Sequence, residues 1–305
     1  MVTVLLAVYN GERYLAEQLD SLLNQTVKDI NIIIRDDGST DGSVNIINEY
    51  LSNYPERIKQ IFGKPTKSAC GNFKELLKAA DDDYIMFCDQ DDVWLPEKIQ
   101  VTLEKMQQLE RGFDGPVLIH SDLRVVDSCL KTVSHSFFDY QGLTKNEDRL
   151  PRLLVQNCVT GCTVMINRAL LEICGEIPNE CAMHDWWLAL IASIFGKIGF
   201  IETPLILYRQ HGNNQVGAKS SRDIGFIKRK LGDITTLKKN YATTYIQAEI
   251  LRERFAESIN KENLEIIAAY CKIPTLCKLK RIKALKKYNF YKSTPLRIIG
   301  QYFFV

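Results

Sequence analysis

The sequence predicts an α/β fold: a mixed, mainly parallel sheet with helices on both faces, followed by a helical C-terminal region. Three observations predict it. Short β-prone apolar runs alternate with amphipathic helical stretches through the first 120 residues. Dense acidic turn signals close several of those runs. After residue 217 the strand signal stops and basic amphipathic helices take over, which divides the chain into 1–217 and 218–305.

Each element follows in order. Val2–Val8 is a continuous β-prone run, as a strand buried on both faces should be. Asn10 is placed to cap a helix whose apolar stripe is Leu15, Leu19, Leu22 and Leu23. Ile30–Arg35 is a second buried strand, ending in Asp36-Asp37-Gly38-Ser39-Thr40-Asp41. Val44, Ile47 and Leu51 mark the next helix, Ile58–Phe62 a third strand, and Phe73, Leu76, Leu77 and Ala80 another helix. Tyr84–Cys88 is the fourth strand, closed by Asp89-Gln90-Asp91-Asp92. Pro96 opens a helix running through Ile99, Leu103 and Met106. Val117–His120 is the fifth strand.

Between Phe137 and Pro151 the pattern reads as polar loop. Cys162–Ile166 is expected as a strand, Arg168–Ile173 and Asp185–Phe195 as helices, and Ile198–Ile201 and Leu205–Arg209 as strands. Helices are expected over Asp223–Phe255, Glu262–Tyr270 and Thr275–Tyr288.

Composition narrows the function. From Cys271 to Val305 there are nine Lys or Arg and no Asp or Glu, which leaves an acidic body with a net charge of −7 before them. An acidic body with a basic tail argues against a nucleic-acid partner and for an anionic surface. Nine cysteines without framework spacing read as reduced, packed thiols. Val2–Val8 lacks a basic leader, and no run reaches the ~20 apolar residues of a membrane span. The expected location is cytoplasmic, peripheral at the inner face of the membrane.

Parallel sheets bind ligands beyond the carboxyl ends of their strands. Those ends hold Tyr9-Asn10-Gly11, Asp36-Asp37, Asp89-Gln90-Asp91 and Ser121-Asp122. Turn chemistry accounts for Asp36, Ser39 and Asp41. It does not account for Asp36, Asp37, Asp89, Asp91 and Asp92 converging at neighbouring strand ends. A divalent cation relieves that repulsion and attracts a diphosphate. No Gly-x-Gly-x-x-Gly or Gly-Lys-Ser/Thr follows the first strand, so dinucleotide and P-loop chemistry are disfavoured.

Val4 to Glu12, Gln18 to Thr26, Asp36 to Asp41 and Asp81 to Trp94 together resemble the opening of glycosyltransferase family 2, over roughly residues 1–217. The resemblance implies the GT-A fold. It implies that Asp37 accepts from a pyrimidine N3–H, that Ala7 and Tyr9 line the nucleotide, and that Asn72 lies near it. Asp89 and Asp91 match the family's Asp-x-Asp, with Asp91 on Mn²⁺ or Mg²⁺ and Asp89 nearer the ribose. Met183-His184-Asp185-Trp186-Trp187 resembles the segment carrying the family's base, which makes Asp185 the general base, although His184 stands where Glu is commoner. An N-cap role is the plainer reading of Asp185, and Asp122 is the next candidate base.

Tyr208 to Gly217 and Cys88 to Trp94 are similar to bacterial rhamnosyltransferases of the family. That implies an inverting transfer of L-rhamnose from dTDP-L-rhamnose to a lipid-linked saccharide, with His211 near the diphosphate or metal. Trp94, Trp186 and Trp187 adjoin these motifs, as sugar platforms or as core. The alternatives are a UDP-hexose donor and, from another class, a non-catalytic sugar-nucleotide binder. The basic residues Lys278, Lys280, Arg281, Lys283, Lys286 and Lys287, with Leu279, Ile282 and Leu285, read as a membrane-surface helix. The competing reading packs these helices on the body or into a homodimer.

Overall fold

A computed structural model describes residues 1–145, 147–212 and 234–304. The expected helix start at Asp223 and the segment from Asn213 to Gly217 lie outside the described residues.

The chain divides into two compact units. The first comprises Met1–Phe137, Thr160–Glu176 and Lys197–Gly217. The second comprises Phe138–Val159, Ile177–Gly196 and Ala218–Val305. The grouping therefore does not follow one cut after residue 217. Two excursions, 138–159 and 177–196, pack with the C-terminal helices because their apolar residues are buried there.

The first unit carries strands β1 (Val2–Val8), β2 (Ile30–Asp36), β3 (Ile58–Gln60), β4 (Tyr84–Asp89), β6 (Val117–Ser121), β9 (Met165–Asn167) and β10 (Lys197–Ile201) in one sheet, ordered β10-β6-β9-β4-β1-β2-β3. All neighbours are parallel except β9, which runs antiparallel to both β4 and β6. β4 is the middle strand and β1 lies beside it, flanked by β4 and β2: Val4, Leu5, Leu6 and Val8 are wholly buried, as the unbroken apolar run of β1 requires.

Helices α1 (Leu15–Leu23), α2 (Ser43–Asn53), α3 (Ala69–Leu77) and α4 (Lys98–Glu110) connect the strands. From β1 the chain steps outward to β2 and β3, then crosses back to β4 on the other side of β1. Right-handed crossovers in opposite directions place their helices on opposite faces. The reversal also opens a crevice at the carboxyl ends of β1 and β4.

A second sheet joins β5 (Val93–Trp94), β11 (Ile206–Arg209), β7 (Arg124–Val126) and β8 (Thr132–Ser134) in that order; of these strands the sequence anticipated β11 alone, as Leu205–Arg209. The expected strand over Cys162–Ile166 is a short 3₁₀ turn, Gly161–Thr163, followed by β9. Asn10 does not cap α1. It sits at φ +51°, and α1 begins after Tyr14.

The second unit is helical. It holds α5 (Phe137–Gln141), whose first residue closes the first unit, α6 (Leu150–Leu153), α8 (His184–Phe195), α9 (Ile234–Arg254), α10 (Lys261–Lys272), α11 (Lys278–Tyr288) and α12 (Pro295–Phe304). Helix α7 (Arg168–Cys174) belongs to the first unit. The second core contains Leu153, Leu188, Leu251, Ile267, Tyr270, Ile273 and Phe290, each 1% exposed or less. Among the described residues no helix is long and apolar enough to cross a membrane.

Candidate active site

The crevice between β1 and β4 is built from three turns. Ala7 lies opposite both Arg35 and Asp89 and forms a half-buried floor. Beyond it, Tyr9 is 57% exposed. The 36–43 turn holds this loop through successive N–H groups: Asn10 N donates to Ser39 Oγ and Gly11 N to Ser43 Oγ, both at 2.8 Å, and Glu12 N donates to Asp41 at 3.1 Å. Asp36 in turn accepts from Gly38 N and Ser39 N.

Asp37 is 5% exposed. Its carboxylate accepts from Arg35 Nη1 at 2.8 Å, Thr66 N at 2.6 Å and Lys67 N at 2.7 Å. Burial raises its pKa, but the bonds from Thr66, Arg35 and Lys67 outweigh that and hold it below the usual carboxylate range. Asn72 is equally engaged: its oxygen accepts from Arg35 and its amide faces Val8 O and Arg35 O. Asp37 and Asn72 thus brace the base of the crevice from within, and the 64–67 segment lies on Asp37.

Asp89 and Asp91 are half-buried at the end of β4, and Asp92 is buried behind them. Asp91 Oδ2 stands 2.8 Å from His211 Nε2, with the two side chains 16% and 14% exposed. The His211 ring packs 5.0 Å from the Tyr14 ring, which also lies under the Arg209 guanidinium. Arg209, 2% exposed, donates to Asp91 O at 2.8 Å and Ser128 O at 2.9 Å, pairs with Glu17, and gives its own N–H to Asp92 at 3.0 Å. Burial and the charges of Asp91 and Asp89 push the Asp92 carboxyl well up. Asp89, Asp92 and Cys162 also bring ligand atoms within 4.8 Å of one another. Anionic crowding at this rim is therefore real, and Lys98, buried over the Trp94 ring at 3.9 Å, adds a second buried cation to Arg209.

Asp91 and His211 together offer a divalent cation one carboxylate oxygen and one imidazole nitrogen. Adjacent ligands of an octahedral ion with ~2.1 Å bonds stand about 3 Å apart, and the Asp91–His211 spacing matches that.

Asp122 serves a different purpose. Its carboxylate accepts from Leu123 N, Phe137 N and Ser136 Oγ at 2.8, 3.0 and 2.5 Å, which ties β6 to the return from β8. Those three bonds give Asp122, the alternative base of the sequence reading, a bracing place between β6 and the chain after β8. Trp94 is 2% exposed and Trp187 is fully buried, with Arg254 5.5 Å over its ring. Neither offers a face on which a sugar could stack, and both are core. Trp186 is half-buried and donates from Nε1 to Leu153 O at 2.6 Å.

Asp185 lies in the second unit, in the first turn of α8, 7% exposed. Its Oδ1 accepts from Trp186 N at 2.6 Å. The helix begins after Met183, so Asp185 is inside it and is not the N-cap. A carboxylate is favoured at that end by the peptide dipoles.

Sequence reasoning did not find Arg35, Gln90 or Arg209. Gln90 and Arg209 reach partners 81 and 118 residues away, whereas Arg35, two residues from Asp37, and Gln90, inside the Asp89-Gln90-Asp91 turn, stood beside acidic turns that were a usable signal.

A GT-A sheet with an acidic rim at its switch point defines a class of sugar-nucleotide transferases. The glycosyl transferase family 2 model matches residues 3–174. The chain is 32% identical to the dTDP-rhamnosyl transferase RfbG of Shigella flexneri, over 74% of this chain and 80% of that one. It therefore belongs to glycosyl transferase family 2. Among solved structures it is similar to Staphylococcus aureus TarS 1-349 in complex with UDP-GlcNAc, at TM-score 0.55 and 17% identity, covering 98% of this chain and 83% of that one. It is also similar to the mannosyltransferase PcManGT from Pyrobaculum calidifontis in complex with GDP-Man and Mn²⁺, at TM-score 0.53 and 16% identity, covering 94% and 78%. Those two likenesses concern the fold.

Proposed function

We propose that the protein is an inverting, metal-dependent rhamnosyltransferase. It moves L-rhamnose from dTDP-L-rhamnose to a hydroxyl of a lipid-linked saccharide. The observation that carries the metal-dependent reading is the Asp91–His211 pair at the end of β4, beside the Tyr9 loop. The donor reading is supported by the identity to RfbG. PcManGT with its Mn²⁺ supports the metal.

Ala7 and Tyr9 line the nucleoside, with Asp37 and Asn72 holding the floor and Asp89 nearer the ribose. Asp91 and His211 would hold Mn²⁺ or Mg²⁺, which when bound would neutralise charge on the diphosphate. Arg209 fixes the Asp91 main chain, so the carboxylate is preorganised. Asp185 takes the proton from the acceptor hydroxyl as it attacks the anomeric carbon. The bond to the nucleoside diphosphate breaks in the same displacement, which inverts the configuration and needs no covalent nucleophile.

The lipid-linked acceptor would be met at the membrane surface through α11, at the cytoplasmic side. Leu279 on that helix is 75% exposed, and Lys278, Lys280, Lys283, Lys286 and Lys287 are exposed around it.

The second reading, a UDP-hexose donor, draws on TarS bound to UDP-GlcNAc. A donor panel with product detection, using lipid-linked acceptors extracted from bacterial membranes, separates the two. Product from dTDP-L-rhamnose alone is expected. Product from UDP-hexoses with none from dTDP-L-rhamnose promotes the second.

A further inference from the structure

The Tyr9 loop and the Asp89-Gln90-Asp91 turn leave neighbouring parallel strands, whose last ladder pair is Ala7 opposite Asp89. Beyond that pair the Gln90 side chain takes over from the main chain. Its Oε1 accepts from Tyr9 N at 2.6 Å and its Nε2 donates to Tyr9 O at 2.8 Å. A primary amide offers the same donor and acceptor as a peptide group, so Gln90 extends the β1–β4 pairing by one residue. Gly11 leaves room for this. A Cβ at position 11 would stand 2.7 Å from Gln90 Cδ and Oε1. Asn10 at φ +51° turns the chain between them.

Tyr9 is too exposed for packing to fix it, so its place is set by the main chain. On one side the main chain of this loop is held by Ser39, Ser43 and Asp41, and on the other by Gln90. We propose that Gln90 is a positioning residue that presents Tyr9 to the nucleoside and ties the nucleoside loop to the turn bearing Asp91. This rests on the nucleotide-site reading given above.

The test uses the full chain and nucleosides, which carry no phosphate and so cannot bind through a metal. Thymidine and uridine affinities are measured by titration calorimetry in chelator, for wild type, Gln90→Met and Gln90→Glu. Met keeps the length and loses both bonds. Glu keeps the acceptor for Tyr9 N and loses the donor to Tyr9 O. Two lost hydrogen bonds of ordinary net strength predict roughly tenfold weaker binding for Gln90→Met, with Gln90→Glu in between. In turnover, the donor KM should rise by a similar factor while kcat changes by less than about threefold. For Gln90→Met, which leaves the charge of the turn unchanged, Mn²⁺ affinity read by electron paramagnetic resonance should stay within about twofold of wild type, which a general structural defect would not produce. Nucleoside affinity equal in wild type and Gln90→Met, both folded by thermal melt, overturns the assignment. So does a fall in kcat at unchanged KM. If wild type binds neither nucleoside, the nucleotide-site reading fails first and the role of Gln90 falls with it.

Discussion

At the residue scale, carboxylates that resemble one another in sequence differ in their surroundings. Asp37 and Asp122 are each held by three or more donors, whereas Asp91 faces one imidazole. Groups already satisfied are scaffolding, and groups poised at a rim are available to ligands. Asp91→Ala and His211→Ala should each weaken Mn²⁺ binding, and Asp91→Ala should cut turnover by about 100-fold or more, the scale for removing one preorganised electrostatic contact. Thermal melts should show both variants folded. Full turnover of Asp91→Ala in chelator-free buffer would rule out that ligand. Asp185→Asn is nearly isosteric and can still accept from Trp186 N, so stability should change little. Turnover should fall by about 10²–10⁴, the range for general-base catalysis, while nucleotide affinity holds. Wild-type transfer by that variant would place the base elsewhere.

At the element scale, β6 carries a titration that the fold resists. His120 is buried on it, 5.0 Å from the Phe200 ring of β10, and burial pushes its pKa down to about 3. In the unfolded chain it titrates near ~6.5. Below that pH the unfolded chain binds a proton that the folded chain refuses. Stability is therefore full above ~6.5 and is lost as pH falls toward 3. The melting temperature should drop from pH 7 to pH 5, and His120→Gln should flatten that slope even if it lowers the midpoint throughout. Equal slopes would contradict the assignment.

Helix α11 makes the second element-scale prediction. It buries only Leu285 below one-tenth exposure and turns Leu279 and five lysines to solvent. The protein should bind anionic liposomes at low salt, release them at high salt, and lose binding when residues 275–305 are removed or when Lys280, Lys283 and Lys286 are changed to Glu. Indifference of the full chain to anionic liposomes would mark the helix as structural or oligomeric.

At the scale of the whole molecule, the first sheet was legible because its central strands bury both faces and leave unbroken apolar runs. The acidic rim was legible because Asp36-Asp37 and Asp89-Gln90-Asp91 close those runs. The second sheet was legible only in Leu205–Arg209, since strands of two or three residues such as Val93–Trp94 and Thr132–Ser134 are too short to show a period. The reversed direction of β9 leaves no mark in composition. The assignment of 138–159 and 177–196 to the helical unit depends on contacts far apart in sequence. So do the holds of Gln90 on Tyr9 and of Arg209 on the Asp91 turn, across 81 and 118 residues. Asp37 illustrates the same limit: its motif marks the crevice, but its partners, Thr66 and Lys67, arrive from a segment with no matching signal.

We propose that this rim binds a nucleotide sugar with a divalent metal, and that the sugar is rhamnose. The most direct measurement is the melting temperature with dTDP-L-rhamnose, UDP-glucose, UDP-galactose or UDP-N-acetylglucosamine, each with Mn²⁺ and with chelator. A native-state ligand at a hundred times its Kd stabilises by about 2.7 kcal/mol, which for a chain of this size is a shift of roughly 5 °C. The account predicts that shift for dTDP-L-rhamnose with Mn²⁺ and a clearly smaller one in chelator or with the UDP sugars. No shift with any sugar nucleotide, or an equal shift with and without metal, would contradict it.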